Sequence, residues 1–326
     1  MRSEASTTSV QPRPETRNKF ILRVSLFKDM IRNPACYLLV LPAAIYTFLF
    51  GYMTLPYMII AFQRFNYKSG IFNSDWVGLK NFEFFFGSSR AMEVTINTLR
   101  LNVLFIVAGV AVSVFLALLL NELRTKWFLK TAQTTMLFPH FLSWIIVSYI
   151  IYGLFASQFG FVNQVLEWLH LPTVNWYATA EPWTTILVGM RIWKDTGMQV
   201  VIYLAAIAGI DHQLYEAATI DGANRFQQMK SITIPLLMPT VFILALISIG
   251  RIFYGDFGMI YSIVKDNGML YSTTDIIDTY VFRALRKTGD PSQAMAVGLY
   301  QAFMGFVFVY GSNWLTRRYF KDGALF

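Results

Sequence analysis

Residues 211–235 read DHQLYEAATIDGANRFQQMKSITIP, a polar stretch in a chain otherwise rich in apolar runs. Asp211 is a favourable N-cap for a first short helix. Asp221-Gly222 is predicted to end that helix, because Gly readily adopts the left-handed conformation found at helix C-termini. A second helix is predicted over residues 223–231 and is expected to stop before Pro235. The stretch therefore predicts two short helices joined by a turn.

Apolar stretches of membrane-spanning length lie on both sides of this segment. A helix needs about 20 mainly apolar residues to cross a bilayer. Six stretches meet this requirement: residues 35–62, 101–120, 135–156, 183–210, 236–264 and 294–315. Only 14% of the 326 residues are charged, against about 25% in a soluble domain. The expected fold is an all-α membrane protein with six transmembrane helices, in which the polar segment joins the fourth to the fifth.

The distribution of Lys and Arg predicts the orientation of these helices. With the N-terminus in the cytoplasm, the inner segments hold 15 basic residues and the outer segments hold nine. Because Lys and Arg concentrate on the cytoplasmic side of a membrane, both termini are expected there. The expected organisation is a cytoplasmic tail over residues 1–34, a transmembrane domain over residues 35–316 and a cytoplasmic tail over residues 317–326.

The helix–turn–helix is compatible with two roles at the cytoplasmic surface. It could present Tyr215, Ile220 and Phe226 to a groove of a partner protein, or rest on lipid head groups as an amphipathic helix. The segment has three acids and two bases, so an anionic leaflet would not attract it. The charge balance favours docking on a protein.

Three motifs within the segment resemble the EAA loop of permease subunits in binding-protein-dependent ABC importers. They are Glu216-Ala-Ala218, Asp221-Gly-Ala223 and Ile232-Thr-Ile-Pro235, with Ile234 where that family usually has Leu. The loop also has the place it occupies in that family, between the fourth and fifth of six spans. The resemblance implies the type I ABC importer permease fold.

The resemblance covers nearly the whole chain and is strongest for the polysaccharide-type branch, in particular for permeases of bacterial alginate importers. The motifs that carry it are Tyr37-Leu-Leu-Val-Leu-Pro42, Ala61-Phe-Gln63, Trp76-Val-Gly-Leu-Lys-Asn-Phe-Glu-Phe-Phe85, Leu118-Leu-Leu-Asn-Glu-Leu123, Phe138-Pro-His-Phe-Leu-Ser-Trp144, Ile192-Trp-Lys194 and Asp278-Thr-Tyr280.

This resemblance implies partners in the bacterial inner membrane. They are a second homologous permease, two ATPase subunits that bind ATP and Mg²⁺, and an external binding protein that delivers a saccharide. The residues implied to couple this chain to an ATPase are Glu216, Ala217, Ala218, Asp221, Gly222 and Ala223. Glu216 would pair with a basic group of the ATPase, and Gly222 would form the turn.

The sequence contains no motif for a catalytic or cofactor site of its own. A phosphate-binding P-loop requires a Gly-Lys pair, which the chain lacks. One cysteine and three separated histidines argue against a disulfide framework or a metal cluster. The basic residues lie between apolar runs, which argues against nucleic acid as a partner.

Two other membrane functions fit the sequence less well than transport by an ABC complex. A membrane-embedded transferase would need acids clustered at the membrane surface, and Asp275 and Asp278 are the only near pair, on the predicted outer side. A proton- or sodium-driven transporter would use buried acids, whereas the charge within the spans is mostly basic.

Five charged residues interrupt the fourth and fifth spans: Arg191, Lys194, Asp195, Arg251 and Asp256. Charged groups within a bilayer face a cavity or a partner. Lys194 and Asp195 point about 100° apart on a helix, and Arg251 and Asp256 are five residues apart, so each is expected to have a different partner or to face water. Trp144 and Trp183 fall near predicted span ends, where interfacial aromatic belts lie.

A translocation cavity is expected around the fifth span. Gly250, Gly255 and Gly258 would allow a helix break of the kind found at transporter binding sites. Sugar rings stack on aromatic faces, and Arg can bind a carboxylate through two hydrogen bonds. The residues assigned to this cavity are Arg251, Tyr254, Asp256, Phe257, Trp193 and Lys194. The alternative is that the glycines serve helix packing and the aromatic rings face lipid.

Charge also bears on the substrate. Arg100 at the edge of the second span, with Arg191, Lys194 and Arg251, outnumbers the two acids of the spans. An anionic substrate would compensate this charge. The resemblance implies a polysaccharide, in particular alginate, so an acidic oligo- or polysaccharide such as alginate is expected. A neutral oligosaccharide is the alternative.

Overall fold

The computed structural model describes residues 29, 31–123 and 125–319, with side chains through residue 314. The predicted tails, residues 1–34 and 317–326, fall mostly outside this range. The helices, in chain order, are α1 (Pro34–Thr47), α2 (Lys80–Phe86), α3 (Ser89–Asn121), α4 (Lys126–Leu137), α5 (Trp144–Phe155), α6 (Phe161–Trp168), α7 (Trp183–Ala208), α8 (His212–Ile220), α9 (Arg225–Gln228), α10 (Ile234–Ile249), α11 (Phe257–Val264), α12 (Tyr271–Thr274), α13 (Ile277–Arg283) and α14 (Pro291–Tyr319).

Shorter elements complete the architecture. Strands β1 (Gln63–Arg64) and β2 (Asp75–Trp76) pair antiparallel, with Gln63 opposite Trp76. Short segments of 3₁₀- or π-helix lie between several α-helices: Phe48–Tyr52, Leu55–Phe62, Phe138–Phe141, Trp176–Ala178, Met229–Thr233, Gly268–Leu270 and Ala284–Thr288. The chain divides into two compact units, residues 1–57 and 58–326. The first contains α1, and the second contains every other α-helix and both strands of the described residues.

Several helices are long and apolar enough to cross a membrane. By length and composition these are Pro34–Phe62, Ser89–Asn121, Arg225–Ile249 and Pro291–Trp314. A fifth span results if Lys126–Phe141 and Trp144–Phe155 are counted together, although they are bent by 98° at their break. The 26 residues of α7 would also be long enough, but Arg191, Lys194 and Asp195 lie within them. The described residues thus contain four or five candidate spans by this measure, against the six expected.

The predicted third span, residues 135–156, is not a continuous helix. After Phe141 the backbone of Leu142 becomes extended, with φ −73° and ψ 136°. A new helix then begins, because the hydroxyl of Ser143 accepts a hydrogen bond of 3.3 Å from the amide of Ile146. Pro139 favours the break, since a proline cannot donate the hydrogen bond that a continuing helix needs.

The predicted fifth span, residues 236–264, is also divided. Helix α10 ends at Ile249 and α11 begins at Phe257, which confirms the break expected from the glycines in this stretch. Gly255 lies against the side chains of Ile276 and Asp278, where a Cβ would clash. The close approach therefore requires a residue without a side chain at this position.

The structure of residues 211–235 confirms one expectation and corrects another. Asp211 caps α8 by accepting a hydrogen bond of 3.0 Å from the amide of Gln213. The second helix, however, begins at Arg225 and runs on through Pro235 into α10. A π-turn over Met229–Thr233 precedes the proline, and Pro235 then occupies the first turn of α10, where its missing amide is tolerated.

Two apolar cores pack against different parts of α7 and fix its position. One surrounds Trp183 and Leu187 and includes Met259 and Ile263 of α11. The other surrounds Val200 and Tyr203 and joins α7 to α3 and α10. The charged part of α7 lies between these two cores. Trp183, expected at a membrane interface, is completely buried in the first core.

Candidate functional site

A cluster of charged and polar side chains lies where α7 meets the two helix breaks. Arg191 Nε is 2.7 Å from Asp195 Oδ2, one turn further along α7. The same guanidinium forms an ion pair with Asp256 at the start of α11. Its side chain is 33% exposed, so the cluster reaches the surface of this chain. Charged groups on an apolar helical protein need water or a polar partner rather than lipid.

Asp256 joins three parts of the protein. One carboxylate oxygen caps α11 by accepting a hydrogen bond of 2.9 Å from the amide of Met259. The other accepts from Trp144 Nε1 at 3.1 Å and pairs with Arg191. Trp144 therefore supports the cluster.

Lys194 binds the other helix break. Its ammonium donates a hydrogen bond of 2.8 Å to the backbone carbonyl of His140 and lies 5.1 Å from the centre of the Trp144 ring. His140 Nδ1 is in turn 3.3 Å from Asp195 Oδ1. As expected, Lys194 and Asp195 have different partners, and Asp256 pairs with Arg191 rather than with Arg251.

Polar side chains hold the turn between α10 and α11. The amide of Asn102 donates to the Ile252 carbonyl at 2.8 Å, and Gln301 donates to the Phe253 carbonyl at 2.8 Å. Asp278 accepts from the Gly255 amide at 2.7 Å. Because three helices supply these groups, the break is fixed by tertiary contacts.

The remaining residues assigned to the cavity have separate contacts. The side chain of Arg251 is exposed and makes no hydrogen bond or ion pair with the described residues. Tyr254 is 45% exposed and packs on Gly305 of α14. Phe257 stacks on Tyr261 with ring centres 5.0 Å apart, and Trp193 is 43% exposed.

A second candidate site is the cleft formed by the helix–turn–helix. Its volume is about 700 Å³. The hydroxyl groups of Tyr215 and Thr233 are 2.9 Å apart, which fixes α8 against the π-turn. Its lining residues include Glu122, Ile210, Tyr215, Glu216, Thr219, Ile220, Arg225 and Gln228.

The turn of this motif leaves an acid and two apolar side chains on its surface. Gly222 has φ +81°, a conformation that costs roughly 1–2 kcal/mol for other residues. Ile220 and Phe226 on either side of it are 87% and 67% exposed. Glu216 is exposed and has no ion-pair partner among the described residues. In this arrangement the exposed acid can pair with a basic group of a partner protein, and the two apolar side chains can enter an apolar groove on it.

A charged network organises the predicted outer segment. Arg283 Nη2 is 2.5 Å from Asp275 Oδ2, and Arg283 Nη1 is 3.2 Å from Asp266 Oδ1. Burial alone would raise the pKa of Asp266, but hydrogen bonds from Lys287, Tyr271 and Arg283 outweigh it and hold that pKa below its usual value. Burial, with the hydrogen bond to Asp266, raises the pKa of Tyr271 to about 12.

The described residues contain no group of three or more His, Cys, Asp and Glu side chains that could hold a metal ion. One site gathers charged side chains at two helix breaks, and the other exposes an acid and two apolar side chains.

Comparison with known proteins gives consistent matches over most of the chain. The family model "Binding-protein-dependent transport system inner membrane component" matches residues 109–321. The polygalacturonan/rhamnogalacturonan transport system permease protein YteP of Bacillus subtilis is 35% identical over 301 residues, which cover 92% of this chain and 93% of that protein. Protein LplB of the same organism is 32% identical, with 92% and 94% covered.

Two solved structures have a similar fold. One is of a bacterial ABC transporter involved in the import of the acidic polysaccharide alginate; the matched chain has a TM-score of 0.83 and 32% identity, with 90% of this chain and 99% of that chain covered. The other is of a bacterial alginate ABC transporter in complex with an alginate pentasaccharide-bound periplasmic protein, with a TM-score of 0.83, 31% identity and coverage of 92% and 99%.

Proposed function

This chain belongs to the family of binding-protein-dependent transport system inner membrane components, and we propose from that premise that it is a permease subunit of an ATP-driven importer for an acidic oligo- or polysaccharide. As a member of this family it is a membrane permease of an ABC importer for sugars or polysaccharides, and it is not the ATPase. We propose in addition that the substrate is acidic, that the chain has six spans, and that it works with a second permease, two ATPase subunits and an external binding protein.

The similarity over nine-tenths of the chain to the permease of an alginate importer supports an acidic polysaccharide as the substrate. YteP, named for polygalacturonan transport, adds weight because polygalacturonan is also a uronic acid polymer. Within this chain, the ammonium of Lys194 donates to a neutral carbonyl and lies over the Trp144 ring. Arg100 donates to the Thr184 hydroxyl at 3.2 Å, so these two cations have no carboxylate partner among the described residues. A substrate carboxylate could compensate them.

The polar cluster would line the transport path at a contact with a second permease. Its side chains are partly exposed, and lipid would solvate them poorly. During alternating access, the exposure of the polar cluster to water would then change. Arg191 is suited to such a change, because it joins α7 to α11 through carboxylates of both helices.

The helix–turn–helix would dock on an ATPase subunit. In this proposal Glu216, Ala217, Ala218, Asp221, Gly222 and Ala223 form the contact, and both termini lie in the cytoplasm. Helix α9 continues into α10 without a stop, so a displacement of the docked turn would move the transmembrane helix with it. Closure of the ATPases around ATP would thereby open the path to the external binding protein.

A neutral oligosaccharide is the alternative substrate, and one experiment separates the two. The complex of two permeases and two ATPases is reconstituted in liposomes, and ATP hydrolysis is measured with oligouronates and with neutral oligosaccharides of equal length, each with a binding protein that recognises it. We expect stimulation by oligouronates. Stimulation by the neutral series alone would refute the acidic substrate and leave the importer function in place.

A further inference from the structure

Helices α5 and α11 run side by side away from the polar cluster. At one end Trp144 of α5 donates to Asp256, the cap of α11. At the other end the ammonium of Lys265, just after α11, lies 5.7 Å from the centre of the Tyr152 ring. The eight residue steps from Phe257 to Lys265 span about 12 Å at the rise of an α-helix. The two helices therefore form a surface that leads outward from the cluster.

A tyrosine-rich cleft of about 680 Å³ lies on this surface. Its polar and aromatic lining consists of Tyr149, Tyr152, Tyr177, Tyr261, Lys265 and Asp266, with Ser148 and Ser262. Tyr149 is 73% exposed and Tyr152 is 45% exposed. Four tyrosines on one cleft offer ring faces for stacking and hydroxyl groups for hydrogen bonds.

The cleft is continuous with the aromatic side chains beside the cluster. Tyr261 stacks on Phe257 with ring centres 5.0 Å apart and planes inclined by 15°. Phe257 directly follows Asp256, which pairs with Arg191. Ring faces thus extend from the polar cluster to Lys265, and a chain of sugar rings could contact them in succession.

Lys265 supplies a positive charge at the outer end of the cleft. Its backbone has φ +58°, which is strained for a residue with a side chain and is typical of functional positions. Its neighbour Asp266 is already bound by Lys287 and Arg283. Lys265 itself has no carboxylate partner among the described residues, so its ammonium is available to an anion.

We propose that this tyrosine cleft is a binding subsite for an acidic saccharide, where tyrosine rings stack on the sugar rings and Lys265 pairs with a uronate carboxylate. The proposal rests on the proposed function, since it assigns an acidic saccharide to this chain. It adds a subsite outside the polar cluster, on the path between the external binding protein and the interior of the membrane.

Occupancy of the cleft can be measured without transport. In a Cys36→Ser background, Tyr149→Cys places a single thiol in the cleft of the reconstituted complex. A tetrasaccharide of mannuronate should slow modification of this thiol by a small uncharged maleimide at least threefold, and maltotetraose should not. Trp168→Cys, at a side chain 78% exposed outside the cleft, is the matched control and should react equally fast with either sugar. A thiol at 149 that is inaccessible in the complex, or unaffected by the tetramannuronate, would overturn the proposal.

Substitutions that remove or keep the charge of Lys265 test its role. Lys265→Gln should raise the tetramannuronate concentration that gives half-maximal protection about tenfold, as loss of a charged hydrogen bond does, and Lys265→Arg should restore it. Lys68→Gln, an exposed lysine outside the cleft, should have no effect. If oligouronates stimulate ATP hydrolysis but neither the thiol nor Lys265 responds, the subsite is refuted and the proposed function stands. Stimulation by neutral sugars alone would refute both.

Discussion

The ammonium of Lys194 donates a hydrogen bond of 2.8 Å to the backbone carbonyl of His140. That carbonyl has no partner within its own helix, because the helical segment ends one residue later at Phe141 and a helix end leaves its last carbonyls without backbone partners. Lys194 is only 7% exposed. The bond therefore satisfies two groups that would each be costly to bury alone, and it fixes α7 to the break between α4 and α5.

Replacement of Lys194 by Met should destabilise the protein by about 1–3 kcal/mol, because the His140 carbonyl would lose its partner. The midpoint of thermal unfolding of the detergent-solubilised protein measures this effect. Lys126→Met is the matched control, because Lys126 is exposed at the start of α4, and it should unfold like the wild type. Equal midpoints for both variants would contradict the structural role of Lys194.

Two glycines of α7 should respond oppositely to a methyl group. A Cβ at Gly197 would overlap the backbone carbonyl of Met136, whereas nothing lies within 4 Å of a Cβ at Gly189. Gly197→Ala should therefore separate α7 from α4 and cost about 1–3 kcal/mol or more. Gly189→Ala should be neutral or stabilising by up to about 1 kcal/mol. Thermal unfolding of the two variants side by side checks the difference, and equal destabilisation would contradict it.

The outer charged network predicts a loss of stability in acid. Lys287, Tyr271 and Arg283 together outweigh burial and hold the pKa of Asp266 below its ordinary value of 3.8. A carboxyl whose pKa is depressed by folding contributes stability that is complete above the unfolded value and is lost as the pH falls through the folded value. Asp266→Asn should therefore lower the unfolding midpoint at pH 7, and the difference from wild type should shrink below about pH 3.8. A difference independent of pH would contradict the ionised role of Asp266.

Local features of the fold could be predicted from the sequence, and pairings between distant residues could not. The Asp211 cap and the break after Gly250 follow from residues that lie next to the structure they determine. The pair of Arg191 with Asp256 joins residues 65 positions apart, so it depends on how α7 and α11 pack. Continuation of the helix through Pro235 was also missed, because a π-turn rather than a stop signal precedes that proline.

The Arg191–Asp256 pair should show energetic coupling. Asp256→Asn keeps an oxygen that can cap α11 and removes the charge facing Arg191, and Arg191→Gln removes the other charge. Because the two groups are in contact, their effects on uptake should be non-additive by about 0.5–3 kcal/mol. Oligouronate uptake by both single variants and the double variant gives this coupling energy. Strictly additive effects would argue that the pair has no role in the transport cycle.

The docking turn provides the test of coupling to the ATPase. Gly222 has φ +81° with open space around it, so Gly222→Trp would strain the turn and add a bulky ring to the exposed surface. We expect loss of substrate-stimulated ATP hydrolysis and uptake, with normal insertion of the chain in the membrane. Gly222→Asn is the matched control, because Asn tolerates the left-handed conformation, and it should retain most activity. Glu216→Lys should also abolish stimulation, since it reverses the charge of an exposed acid. Full ATP-driven uptake by Gly222→Trp would exclude docking at this turn.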